Sequence, residues 1–246
     1  MGYFDYYHRA IQQHNNGLKL VLGGTGLGKT SATIEVIRAP EYQQRKFIYC
    51  ANRVQLIEAM AQSLYDPGSP PCHVVLPRDL EAVLGTLREL RQPFYELFEN
   101  PLFTDNLRRW NDRTPLKHID LPAVKKAYKA LEELVVQKVM VPKALEPQMD
   151  DYAHLILHAF KAALLGANNK QGNSLPYQRL ADHPVVQSLF PCIAFKRRPE
   201  VRLMAVTLHK AFHGFFDGQK TLNLTSSKMS WCDSSAGPPR SATHSV

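Results

Sequence analysis

The residues "GGTGLGKT" (Gly23 to Thr30) fit the pattern G-x-x-x-x-G-K-[ST] at every fixed position. The chemistry behind such a run is phosphate binding. Several backbone N–H donors must point into one small volume, and only a loop light in side chains lets the backbone come that close. Gly26 and Gly28 supply such positions, and Gly23, Gly24, Thr25, Gly26, Leu27 and Gly28 together form the candidate cradle for ATP. Lys29 would lie across the β- and γ-phosphates, and the Thr30 hydroxyl would bind Mg²⁺. Lys29 and Thr30 are therefore the candidate catalytic pair, and Thr30 the candidate metal ligand.

Such a loop works only between a strand and a helix. "LKLVLGG" reads as a buried strand, and "TSATIEVIRAP" as a helix stopped near Pro40. A helix opening at Lys29 aims its positive end at the same anion. Next, Phe47 to Cys50 form a short apolar strand. Asn52 is placed to cap a helix with apolar Leu56, Ile57, Met60, Ala61 and Leu64 at helical spacing. "DPGSPP" (Asp66 to Pro71) closes that unit as a turn-rich loop.

Residues from about 78 to 190 read as mostly helical. One helix starts near Asp79. Another has Asp120 as its cap, Pro122 in its first turn, and a stripe of Val124, Tyr128, Leu131 and Leu134/Val135. A third, "DDYAHLILHAFKAALLGANNK", ends at Gly166 and the asparagines, with its paired carboxylates expected in the first turn. The sheet pattern returns at the apolar run Val201 to Thr207, followed by a short helix from about His209. The tail from Thr225 holds seven of the twelve serines and has no periodicity, so it reads as disordered. The fold class expected is α/β, a parallel sheet interrupted by a large helical insertion. The divisions fall at 1–77, 78–195, 196–224 and 225–246.

Composition narrows the setting. The chain has 246 residues, enough for one substantial core or two smaller ones, and 44% of them are hydrophobic. No apolar run reaches transmembrane length, and the first residues lack both a signal-peptide core and a myristoylation pattern. Cys50, Cys72, Cys192 and Cys232 are scattered, with no C-x-x-C pair, as in cytoplasmic proteins. The net charge of +8 favours a polyanionic partner, and with no apolar run of spanning length no membrane partner is expected.

Together, "GGTGLGKT", "FIYCANRVQLIEAM" and "LMAVTLHKAF" resemble the first RecA-like domain of superfamily-two DEAD/DEAH-box helicases. Thr25 to Thr30 look like motif I, and Tyr49 to Gln55 sit where motif Ia leaves its strand. The resemblance implies a P-loop NTPase fold using ATP and Mg²⁺, with single-stranded DNA or RNA as partner. Its backbone contacts would fall to Asn52 and Arg53, and, in the later strand-end segment, to Thr207, His209 and Lys210. A glutamine upstream, Gln12 or Gln13, would read the adenine. The resemblance covers roughly residues 5–65 and 195–224. It also implies a Walker B strand ending in Asp-Glu after Thr207, and no apolar strand in this chain ends that way. Nor does the second RecA-like domain, with its arginine finger, occur in it. The sequence thus reads as the incomplete N-terminal part of such a domain, with a tail that a shifted reading frame or a badly joined gene would explain.

Other constellations carry less. His154 with His158, and His209 with His213, are spaced as zinc-binding pairs but lack the glutamate of H-E-x-x-H and a third ligand. "FKRRPE" (Phe195 to Glu200) reads either as a phosphate-binding turn with a base-stacking aromatic or as a solvated basic turn. Lys125, Lys126 and Lys129 read as a solvated helix face. The leading function is an ATP-binding, nucleic-acid-dependent motor domain with little turnover by itself. Its rivals are a stand-alone phosphate-loop kinase or other NTPase, and a non-catalytic helical interaction module on a degenerate nucleotide fold.

Overall fold

A computed structural model of the chain describes residues 2–13, 28–65, 73–138, 141–168 and 174–207. The strand expected before the glycine-rich loop lies outside these residues, as do Gly23 to Leu27, the segment with His209 and Lys210, and the tail.

Three strands make a parallel sheet: β1 (Phe47–Ala51), β2 (His73–Val75) and β3 (Leu203–Thr207), in the order β1-β3-β2. β3 pairs with β1 from Phe47↔Leu203 to Ala51↔Thr207, and with β2 from His73↔Leu203 to Val75↔Ala205. Parallel neighbours need crossover connections, usually helical. Between β1 and β2 the connection carries α3 (Val54–Ser63). Between β2 and β3 lies a block of seven helices: α4 (Asp79–Glu99), α5 (Pro101–Arg113), α6 (Leu121–Val136), α7 (Glu146–Ala167), α8 (Leu175–Asp182), α9 (Pro184–Leu189) and α10 (Pro191–Arg197). Before the sheet come α1 (Tyr3–Gln13) and α2 (Lys29–Arg38). The described chain is thus mostly helical around a small parallel sheet, an α/β arrangement.

Strand alternation divides the core. Phe47, Tyr49, Ala51, Val75, Leu203 and Ala205 face α2 and α3, where they meet Ile37, Ile57, Met60 and Leu64. Ile48, Cys50, Val74, Met204 and Val206 face the other way and join the core of the helical block. The block therefore packs on the sheet as its second cover. Its interior holds an aromatic cluster in which Phe94, Phe98, Phe103 and Phe160 lie with ring centroids 4.8–5.5 Å apart.

Local chemistry sets the helix ends. The Asp120 carboxylate accepts from the Ala123 N–H at 3.1 Å with Pro122 in the first turn, and Val124, Tyr128 and Leu131 of α6 are buried as the stripe requires. Glu81 accepts from the Arg78 backbone N–H at 3.3 Å to open α4, which bends at Leu90 ahead of Pro93. Gly166 lets α7 touch α5: a Cβ there would stand 1.9 Å from the Asn106 carbonyl oxygen.

Several expectations change. Asn52 does not cap α3; the helix starts later, with Arg53 in the cap position and no side-chain cap bond. Leu56, assigned to the buried face, is 48% exposed, because the stripe runs through Ile57, Met60, Ala61 and Leu64. α7 begins at Glu146, so Asp150 and Asp151 fall in its second turn instead of its first. β2 was not foreseen, and α10 runs through the division at 195 to end at Arg197.

Candidate functional site

The glycine-rich motif enters the described residues at Gly28, whose backbone is left-handed (φ 77°, ψ 13°). Glycine adopts that conformation without the Cβ penalty other residues meet. α2 starts on the next residue. Lys29 is half-buried, and Thr30 is exposed.

The direction of α2 follows from what its two ends touch. At its start Thr30 lies beside the phenol of Tyr49, two residues from the carboxyl end of β1. At its far end Ile37 packs with Phe47 and Leu203, the first residues of β1 and β3. The Arg202 guanidinium, just before β3, donates to the Ile37 carbonyl, and also to the Tyr42 carbonyl at 3.0 Å. α2 therefore runs antiparallel to the strands, with its amino end toward their carboxyl ends. That edge of a parallel sheet is where ligands of open α/β folds bind, and the amino end of a helix favours an anion.

On the same edge, Asn52 and Arg53 leave β1, both exposed, and Thr207 ends β3 opposite Ala51. Of the sequence-derived site residues, Gly28, Lys29, Thr30, Asn52, Arg53 and Thr207 are thus brought to one end of the sheet. Gln13 is the last residue of α1, a helix that packs on α2 and is held there by His8, whose Nδ1 lies 2.8 Å from the Tyr42 hydroxyl. Gln12 is engaged within α1, its amide nitrogen 2.7 Å from His8 Nε2. The strand ends lead into Asn52-Arg53 and Leu76-Pro77-Arg78, and none of these presents the Asp-Glu pair of a Walker B strand.

Tyr49 was missed. Its ring lies between the two small clusters on the α2–α3 face, and burial, only partly offset by neighbouring Thr30, pushes its phenol pKa up. Alternation in "FIYCA" assigns Tyr49 to the face of Phe47 and Ala51, but says nothing of which helix covers that face.

The base-stacking reading of "FKRRPE" is overturned. Phe195 is 1% exposed, Arg197 pairs with Asp182, and Arg198 pairs with Glu200 at 2.7 Å. This segment also precedes β3, at the sheet end opposite Thr30. Lys126 and Lys129 are exposed on α6, while Lys125 pairs with Glu99 at 2.7 Å. His154 and His158 stack with centroids 6.4 Å apart, and His154 Nδ1 lies 3.4 Å from Asp79. No group of three or more His, Cys, Asp or Glu side chains suited to a metal ion occurs among the described residues. No helix among them is long and apolar enough to cross a membrane.

Compared with protein-family models, curated proteins and solved structures, the chain finds no match in any of the three.

Proposed function

We propose that this chain binds Mg²⁺-ATP through Gly23 to Thr30 and works as a nucleic-acid-directed motor domain of the superfamily-two helicase type, with a RecA-like sheet. One observation carries the reading: a GKT sequence whose left-handed Gly28 opens a helix running back against a parallel sheet. The backbone N–H groups of the first turn of α2, unsatisfied within the helix, are donors for phosphate oxygens. The Lys29 ammonium balances their charge, and the exposed Thr30 hydroxyl offers lone pairs to a cation. Bound Mg²⁺ would neutralise and orient the terminal phosphates. The residues present fit nucleotide binding. The strand ends among the described residues lead into no Asp-Glu pair to place an attacking water, so the function proposed is binding with little hydrolysis.

Asn52 and Arg53 support the nucleic-acid part, since both are exposed where β1 ends, beside the nucleotide edge. Thr207 ends β3 on the same edge, and His209 and Lys210, which follow it in sequence, are the further proposed contacts. The Cys50 thiol, its pKa pushed up by burial, is an inert core group that suits the cytoplasmic setting of this reading.

Calorimetry tests it directly. Mg²⁺-ATP should bind the wild type, and Lys29→Ala should lose charge-assisted contacts of about 1.5–3 kcal/mol, or roughly ten- to a hundredfold in affinity. Equal affinity in both proteins would sink the phosphate-loop assignment. For the polyanion, replacing Arg53 and Lys210 should flatten the slope of log affinity for single-stranded DNA against log salt. An unchanged slope would remove these two from the contact.

A further inference from the structure

We propose that the amino edge of the sheet is a second surface for single-stranded nucleic acid, where Arg38, Lys46, Lys196 and Arg202 face the phosphates and Tyr65 stacks on a base. The inference extends the nucleic-acid reading above to the end of the sheet opposite Thr30, and it does not use the nucleotide site. The carboxyl ends of α2, α3 and α10 meet there, and a cation from another element holds each of them. Arg38, the last residue of α2, donates to the Ser63 carbonyl at the end of α3 at 2.9 Å. Arg202, just before β3, donates to the Ile37 carbonyl near the end of α2. Lys46, just before β1, donates to the Phe195 and Arg198 carbonyls at the end of α10. These bonds place residues far apart in the chain on one edge.

A carbonyl orients a cation without cancelling it. Each helix end carries only about half a negative charge, so Arg38, Lys46 and Arg202 leave roughly one positive charge or more over. The neighbouring pairs cancel within themselves: Arg197 with Asp182, and Arg198 with Glu200, whose charge also favours the Lys46 ammonium. Glu41 and Arg45 likewise act in opposite senses on Tyr42. Lys196, exposed in the last turn of α10, adds to the excess; crowding by its neighbours and the Arg197 charge both lower its pKa. An anion arriving beside it would relieve that repulsion. Tyr65 supplies the second component. It lies two residues beyond Ser63, is 57% exposed, and is anchored by its backbone N–H, which donates to the Gln62 carbonyl at 3.1 Å. Cations that follow the backbone, beside an aromatic ring on which a base can stack, suit a single strand of any sequence. A duplex would keep its bases from the ring.

The test is the fluorescence anisotropy of a labelled oligothymidine, titrated with the full chain over a range of salt. The wild type should bind, with affinity falling as salt rises. Lys196→Gln and Arg38→Gln should each lower the slope of log affinity against log salt by about 0.7, the share of one phosphate contact on a single strand. Tyr65→Ala should weaken binding by about five- to a hundredfold, the worth of one stacked base, and leave the slope unchanged. Calorimetry with Mg²⁺-ATP should give the wild-type affinity in all three, because the nucleotide site lies at the other end of the sheet. Lys196 and Tyr65 are exposed, so their variants should melt as the wild type does and carry the test even if Arg38→Gln loosens α3. Unchanged affinity and slope in folded Lys196→Gln and Tyr65→Ala proteins would overturn the inference and leave the nucleotide reading intact. A wild type that binds no oligothymidine would overturn it too, whereas loss of ATP binding alone would sink only the nucleotide reading.

Discussion

Gly28→Ala is the sharpest probe of whether the motif works through its backbone. Gly28 has φ 77° and ψ 13°, inside the left-handed region. A Cβ built there meets no atom of the described residues within 4 Å, so no clash with them arises. The whole cost is conformational, about 1–2 kcal/mol for an L-residue held left-handed. At 1.4 kcal/mol per tenfold, that is roughly a five- to thirtyfold preference for a loop with Gly28 flipped out of place. ATP binding must reverse the flip, so affinity should fall by the same factor.

Asparagine enters the left-handed region more readily than alanine, which gives the prediction an internal control. Titrating ATP into the three proteins should rank them Gly28, then Gly28→Asn, then Gly28→Ala. The reasoning would be refuted by Gly28→Ala binding as tightly as wild type. Asparagine binding worse than alanine would refute it differently, because side-chain bulk at the ligand would then be the cause instead of backbone angle.

Other consequences can be checked on the same preparation. Gly166→Ala should destabilise the fold by about 1–3 kcal/mol in urea titration, because a Cβ 1.9 Å from the Asn106 carbonyl forces α5 and α7 apart. Gly85→Ala, with open space around it in α4, should instead stabilise by roughly 0.5–1 kcal/mol. His183 accepts from the Val185 N–H at 3.3 Å at the start of α9, and burial holds its pKa below the ordinary histidine value. The unfolded chain therefore takes up the proton first, so this stability is complete above about pH 6.5 and lost as pH falls below it. His183→Asn, which can still cap α9, should show a smaller fall in Tm on acidification. Finally, ATP turnover should be negligible with or without single-stranded DNA, since an arginine finger alone is worth roughly 10³–10⁵ in rate. Lys29-dependent, DNA-stimulated phosphate release would reveal a catalytic carboxylate this reading lacks.

What could be read in advance followed the physics of each signal. Phe47 to Cys50 and Val201 to Thr207 announced themselves because a strand covered on both faces is apolar at almost every position. β2 did not, since three residues between Pro71 and Pro77 show no period, and only pairing with β3 makes His73–Val75 a strand. Lys29 and Thr30 could be named as candidates because the motif is a matter of spacing along the chain. The place of Tyr49 beside Thr30 could not, because it depends on α2 lying across β1, a tertiary fact. Phe195 misled for a related reason. Lys196, Arg197 and Arg198 make its neighbourhood look wet, yet on α10 the helical turn carries Phe195 inward with Cys192 while the charges point out.

The helical block is more than an insertion hung on a loop, and the parity of β3 shows why. A strand covered on one face alternates apolar and polar residues, whereas Leu203, Met204, Ala205 and Val206 are all fully buried. Leu203 and Ala205 take their cover from α2 and α3; Met204 and Val206 take theirs from the block. A second tie lies at the strands' amino end. Lys46, just before β1, reaches the carbonyls of Phe195 and Arg198, the latter at 2.9 Å, with its ammonium 5.0 Å from the Phe195 ring centroid. Burial lowers its pKa, and the nearby Glu200 carboxylate only partly offsets that. The amino edge of the sheet is thereby closed against the block. Its carboxyl edge, with Thr30, Asn52, Arg53 and Thr207, is where the proposed nucleotide would bind.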